Sequence, residues 1–542
     1  MDDEMTDRDG TSGHELLELV RRSGKSEWRF LIQGTPVDGW PLILADSKSM
    51  GRHVLASRDI AAGELLFTDE PFAQTVHERC HATVCHLCYG GLDKPGIKPV
   101  VCNDCKQVCF CSTTCARTAE AAHEDECGVL CALSASGAGA AALRSFRGLR
   151  LFIRLVHRAF EEPAEFRAVE AMAQHYDDAT PERRQWLETM ASQVNRFVPP
   201  ERRMETARLA RLVSNVHTNL YGIVDQAGLQ YGSGLYPRAG SLFNHSCSPS
   251  CAVSFLGRQW RLHALMPIRR GAEVTVSYVE VYAARAERRS AIEAKKGFAC
   301  QCSRCKRPLP ADAQLDGWRC AVRECAQASG VGGEGSEAGV VPAGAACCVR
   351  CGATHRLSQA ARDAREHKWR AALEDGSAWA HGTFATGSVA GGGGAAGGAA
   401  GGASGGADEG AARRTLAAAD RVMQESGGQL CEHHALRHTA RKLRVYALSA
   451  LGAKADHAEM VAALEALLDG MTKHLPAAHP EASFVTYRLA EALWQQAAEA
   501  GASGTAARGR AKEHAAVAVT SLAVAYGTDH PTVRAWRESF RV

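Results

Sequence analysis

CHLCYGGLDKPGIKPVVCNDCKQVCFCSTTCARTAEAAHEDEC, residues 85–127, carries Cys85-x2-Cys88, Cys102-x2-Cys105, Cys111-x3-Cys115 and His123-x3-Cys127. Each close pair offers two soft ligands from one turn of chain, and eight such ligands suit two tetrahedral zinc ions with closed shells. The stretch is too short to bury a large apolar core, so metal binding would supply much of its folding energy. A closed shell leaves no position for a substrate, which points to folding and protein interaction rather than a reaction. Cys80, Cys109, Cys131, His77, His81 and His86 lie nearby but fit no pair spacing and read as spectators.

The rest of the chain agrees with a metal-rich, non-exported protein. Its 542 residues exceed what one core organises, and about two to four domains are expected. Hydrophobic residues at 46% and charged residues at 23% give the balance of a globular protein. A net charge of +3, with no basic helix or interleaved aromatics, speaks against direct nucleic-acid binding and a sequence-specific DNA-binding role. No run of about 18 apolar residues marks a membrane span. The acidic start MDDEMTDRDG lacks the apolar region of a secretory signal. The 21 cysteines are therefore expected as zinc ligands in reducing compartments, the nucleus and cytoplasm, rather than as disulfides.

Residues 48–76 alternate apolar and polar positions around Ala61-Ala62-Gly63-Glu64, as two short strands joined by a turn. Residues 140–220 read as helices, with Leu149, Phe152, Ile153 and Val156 at helical spacing. Strand character returns over 228–280, with turns at Leu256-Gly257-Arg258 and Gly271. Residues 387–411, nearly all Gly, Ala and Ser, read as a linker. From 412 to 542 the chain looks helical, with Met460, Val461, Leu464, Leu467, Leu468 and Met471 on one face. His479-Pro480 and His530-Pro531 recur 51 residues apart between helical runs, hinting at stacked helix pairs.

Asn244-His245-Ser246-Cys247-x-Pro249 matches the NHSC-x-P signature of SET domains, and Val276-Ser277-Tyr278 stands where these domains carry a strand-borne tyrosine. Gly51-Arg52-His53, with Ala56, resembles the first cofactor loop; Leu235-Tyr236-Pro237 precedes the signature as LYP does; Asn219 fits the asparagine of the preceding strand. Phe298-x-Cys300-x-Cys302-x2-Cys305 resembles the post-SET cysteine cluster, and residues 85–127 resemble a MYND finger, with Phe110 before its fifth cysteine. A finger interrupting a SET domain is similar to the arrangement of the SET-and-MYND (SMYD) protein-lysine methyltransferases. The resemblance is close over 45–306 and looser beyond.

It implies a multidomain α+β fold: a β-rich SET fold interrupted by the finger and a helical insert, then an all-α tetratricopeptide-like domain. The expected divisions are an N-terminal extension (1–40), the first SET part (41–84), the finger (85–127), the helical insert (128–215), the SET core (216–282), a post-SET zinc segment (283–306), a Cys-rich insertion (307–386), the linker (387–411) and the C-terminal domain (412–542). The implied function is S-adenosylmethionine-dependent methylation of lysines on histone or non-histone proteins. The alternative is a zinc-dependent scaffold or transcriptional adaptor with a weak or inactive SET domain.

The resemblance also assigns residues. In the MYND pattern one zinc takes Cys85, Cys88, Cys111 and Cys115, the other Cys102, Cys105, His123 and Cys127; such fingers dock proline-rich peptides. Cys247 joins Cys300, Cys302 and Cys305 in a third zinc site. Tyr278 is the catalytic tyrosine of a narrow channel whose desolvation favours the neutral amine. Met50, Gly51 and Arg52 close over the cofactor, Asn219 belongs to the same site, Asn244 and His245 hold the cofactor by backbone and side-chain hydrogen bonds, and Phe298 stacks near the adenine. Three departures stand out: Ser250 where asparagine is usual, Lys296 where an aromatic lines the lysine channel, and Met50 where lysine or arginine is frequent. Separately, Cys320-x4-Cys325 and Cys348-x2-Cys351 have the spacing of a fourth, ribbon-like zinc site, with Cys347 competing for the third ligand.

Overall fold

A computed structural model describes residues 40–47, 50–135, 148–224, 230–240, 242–307, 310–322, 324–325, 339–384, 407–452 and 455–542. The expected N-terminal extension, up to residue 39, and most of the Gly/Ala linker lie outside the described residues.

The chain opens with β1 (Leu42–Ser47), β2 (Gly51–Ala56), β3 (Leu65–Asp69) and β4 (Ala73–Val76). The finger follows, with the short strands β5 (Val100–Val101) and β6 (Cys109–Phe110) and helix α1 (Thr113–Ala135). The helical insert holds α2 (Leu149–Glu161), α3 (Pro163–Glu170), α4 (Pro181–Phe197) and α5 (Thr206–Asn219). Thr180 caps α4 by accepting the Arg183 N–H, and Pro181 occupies the first helical position, where a missing N–H costs nothing. Leu149, Phe152, Ile153 and Val156 are all buried on α2, as their spacing requires.

The SET core then supplies β7 (Tyr221–Val224), β8 (Gln230–Leu235), β9 (Asn244–His245), β10 (Cys251–Leu256), β11 (Gln259–Ala264) and β12 (Thr275–Val276). These strands form small sheets, ordered β10-β11-β3 and β4-β8-β7, beside the pairs β1-β2 and β9-β12. Strands β2 and β3 do flank the expected turn at residues 61–64 but do not pair with each other. Strand β2 pairs with β1, while β3 joins β11, far along the chain. Between these sheets lies an apolar core containing Leu66, Phe67, Tyr221, Tyr236, Phe243, Trp260 and Leu262.

After the SET core come α6 (Arg285–Lys296), the short pair β13 (Trp318–Arg319) and β14 (Val340–Val341), and α7 (Gln359–Phe384). The C-terminal helices are α8 (Ala407–Ser426), α9 (Ala435–Leu451), α10 (His457–His474), α11 (Pro480–Glu499), α12 (Thr505–Tyr526) and α13 (Pro531–Phe540). Both His-Pro dipeptides mark helix starts: His479 and His530 stand at the N-cap position, where His530 also accepts the Thr532 N–H, with proline at the first turn of α11 and α13. Helical structure begins upstream of residue 412, because α7 packs on α8 and Trp369 and Leu373 share a core with Trp318, Val422 and Leu436. A larger core runs through α10 to α13 and takes in Ala252 and Leu265 of the SET core, so the helices cover one face of its sheet.

Candidate active site and metal centres

A zinc–sulfur bond of ~2.3 Å sets tetrahedral edges of ~3.8 Å, so ligands built for zinc should stand about that far apart. Among the described residues four groups meet this test, each with all its ligand atoms within 4.8 Å of one another: Cys85/Cys88/Cys111/Cys115, Cys102/Cys105/His123/Cys127, Cys247/Cys300/Cys302/Cys305 and Cys320/Cys325/Cys348/Cys351. In the finger, Cys88 and Cys111 are 3.6 Å apart across the first shell, and Cys102 and Cys127 are 3.6 Å apart across the second. Cys105 Sγ lies 3.6 Å from His123 Nε2. The pairs interleave, first with third and second with fourth. The spectators Cys80, Cys109, Cys131, His77, His81 and His86 belong to none of the four groups.

The fourth group settles the competition at its third position. Cys348 Sγ is 3.9 Å from Cys325 and Cys351 Sγ is 3.5 Å from Cys320, while Cys347 turns outward to Thr354. Gly339 lies so tightly against Cys325 Sγ and Cys320 Cβ that a side chain there would displace the ligands. That close approach belongs to a built site.

Residues outside the ligand set orient it. Glu126, three residues after His123 on α1, sits 3.3 Å from His123 Nδ1 and so directs Nε2 toward the metal position. Burial alone would raise the Glu126 carboxyl, but the Arg150 and Arg154 guanidiniums hold it well below the usual carboxylate range. Arg154 also donates to the Gln74 carbonyl at 2.9 Å, tying the finger to β4. Sequence reasoning missed this network; only the three-residue spacing of His123 and Glu126 signals it.

The SET residues converge on Tyr278. Strands β9 and β12 run parallel, with Thr275 opposite Asn244 and Val276 opposite His245, which brings the tyrosine just past β12 to the histidine. His245 Nδ1 accepts the Tyr278 N–H at 3.0 Å, leaving the ring proton on Nε2, 3.2 Å from Cys247 Sγ. Burial pushes the imidazole down to about 4, so the ring is neutral, as this arrangement needs. Both ring nitrogens are thus engaged within the protein, and the histidine's hydrogen bonding toward a cofactor is confined to its backbone. Tyr278 is half-buried, donates its hydroxyl to the Phe243 carbonyl at 2.6 Å, and is pushed up by burial.

Asn244 donates to the Met50 carbonyl at 3.2 Å and to Glu273 at 3.0 Å, joining the first loop to the signature strand. Gly51 begins β2 at a φ of 62°, a conformation that side chains disfavour. Met50 and Phe298 are 45% and 42% exposed, which leaves both surfaces available to a ligand. Arg52 is half-buried one position further along β2.

Asn219 needs a correction. It is the last residue of α5, not part of the strand, and its amide donates to the Ala173 and Asn215 carbonyls at 2.7 and 2.8 Å. The side chain is thus satisfied by carbonyls of the insert. Ser250 fills the asparagine position by bonding Thr275, accepting its N–H at 2.9 Å. Lys296 donates to the Thr218 carbonyl at 2.5 Å and lies 4.4 Å from the centre of the Tyr278 ring.

The third metal group links these parts. Cys247 follows β9, and its backbone N–H reaches Cys302 Sγ at 3.4 Å, while Cys305 Sγ is 3.6 Å from Cys247 Sγ. Arg304, between the last two ligands, donates to the Cys247 carbonyl at 2.8 Å and is neutralised by Asp312 at 2.6 Å. The donor set, its spacing and its burial fit zinc.

Residues 51–279 match the family model for the SET domain, and this is the fold class to which the paired β9 and β12, Tyr278 and the cysteine knot belong. The chain therefore carries a SET domain. It is 26% identical over 273 residues to N-lysine methyltransferase SMYD2-A of Xenopus laevis, covering 50% of this chain and 62% of that protein. It is 26% identical to histone-lysine N-methyltransferase ASHR1 of Arabidopsis thaliana, covering 51% and 58%, and 27% identical to histone-lysine N-methyltransferase SMYD3 of Mus musculus, covering 47% and 59%. With these relatives the similarity to the SET-and-MYND methyltransferases stands, and the chain spans about three-fifths of the length of each.

Proposed function

We propose that the chain is an S-adenosylmethionine-dependent protein-lysine N-methyltransferase acting on histone or non-histone proteins. The observation that carries the reading is the joining of segments far apart in sequence: β9 holds the Met50 loop through Asn244 and Tyr278 through His245, and the end of α6 reaches the Tyr278 ring. The cofactor, when bound, supplies an already activated methyl group on a sulfonium. The chain's own residues must hold it, align the amine and exclude water. Asn244 fixes the Met50–Gly51 loop, and Phe298 offers an exposed aromatic face for the adenine. Tyr278, clamped on the Phe243 carbonyl, holds its ring still beside the acceptor amine. Apolar surroundings favour the amine's neutral, nucleophilic form.

We further propose that the finger docks proline-rich peptides and that the chain works in the nucleus and cytoplasm, where thiol ligands stay reduced. Among the described residues, no helix is long and apolar enough to cross a membrane. A second reading, an interaction scaffold or transcriptional adaptor with a weak SET centre, is favoured by one observation: the Lys296 amine lying on the Tyr278 ring. A methyl-transfer assay on protein extract, with products identified by mass spectrometry, separates the two. Methyl-lysine on discrete proteins supports the enzyme; none, with cofactor bound, supports the scaffold.

A further inference from the structure

Helix α6 ends at Lys296, and Gly297 turns the chain away at a φ of 71°. Lys295 is left exposed, whereas the side chain of Lys296 folds inward and is only partly accessible. Its amine bridges the Thr218 carbonyl at the end of α5 and the Tyr278 ring. A lysine amine thus already stands beside the tyrosine that the resemblance makes catalytic. Neither of these two partners is an acid that would fix its charge. Burial, and then the neighbouring Lys295, bring its pKa down to about 8, so neutral amine forms near physiological pH.

We propose that Lys296 is a methyl acceptor of its own chain, occupying the acceptor's place beside Tyr278 and modified in cis when no partner protein fills it. The proposal rests on the methyltransferase reading above. In the step, the Nζ lone pair forms the new N–C bond while the S–CH3 bond breaks and its electron pair returns to sulfur. The products are N-methyl-lysine and S-adenosylhomocysteine. The proton that Nζ sheds beforehand goes to water, and a partner lysine competes for the same place.

The test uses the purified full chain with isotope-labelled S-adenosylmethionine and no other protein, followed by fragment mass spectrometry. One methyl on Lys296 and none on Lys295 is expected, at a rate per chain that does not depend on protein concentration. A bare Lys296 in a preparation that methylates extract proteins overturns the proposal and leaves the methyltransferase reading intact. A rate rising with concentration also overturns it, because the acceptor is then on another copy. Failure to bind cofactor or methylate anything overturns both.

A readout without cofactor checks the geometry. Limiting acetic anhydride at about pH 10.5, near the free lysine pKa, removes most of the difference in charge and should acetylate exposed Lys295 several-fold faster than Lys296. Equal labelling there would show that the Lys296 amine is not held against Thr218 and Tyr278.

Discussion

The finger and the post-SET knot use the same ligands for different purposes. All eight finger ligands come from residues 85–127, so metals held there would fold a local module whose close pairs are already joined by short turns. In the knot, Cys247 meets Cys300, Cys302 and Cys305 from beyond α6, so a metal held there would close a long loop. Around the knot, His245 bonds both Cys247 and the Tyr278 backbone, and Phe298 stands just before Cys300. The lesson is that a zinc site's value to function depends on which segments it joins. Removing metal from the finger should loosen a domain; removing it from the knot should dismantle the cleft.

Substitutions can break that contrast. The largest effect is expected for Cys302→Ser, which should lose one zinc and all measurable S-adenosylmethionine binding while the finger keeps its two ions. Metal analysis beside a binding titration checks this, and retained cofactor affinity would remove the distinction. Tyr278→Phe should leave zinc content and melting unchanged yet slow turnover about a hundredfold, the size expected when a positioning group lets the reacting atoms shift by about 1 Å. Glu126→Gln acts on the other region. Loss of its charge beside His123 should weaken zinc at that shell about 10–100-fold in chelator competition, with no change at the knot. The smallest effect is expected at Cys347→Ser, which should keep every zinc, whereas Cys348→Ser should lose one.

How much could be read in advance follows from the same contrast. Close cysteine pairs are legible because both ligands come from one turn, and the short motif around Asn244 carries its own strand and metal ligand. The choice between Cys347 and Cys348 was open to spacing alone, since it depends on which thiol faces the Cys325 side. Helix α7 was hidden inside a Cys-rich insertion, although Trp369, Leu373 and Ala380, spaced four and seven residues apart, form its buried stripe. The pairing of β3 with β11 could not be seen locally because its partner lies beyond the finger and the helical insert. Asn219 belongs to a helix, not a strand, with its amide hydrogens taken by Ala173 and Asn215, and neither partner shows in the motif. Lys296 was visible as a departure, but its inward fold depends on the ends of α5 and α6 meeting.

Titrating the purified full-length protein with S-adenosylmethionine tests most directly whether Met50–Arg52, Asn244–His245, Tyr278 and Phe298 make one cleft. Saturable one-to-one binding by the wild type is expected, with a sharp loss in Asn244→Ala at unchanged zinc content. A wild-type preparation that carries its full zinc and binds no cofactor would contradict it.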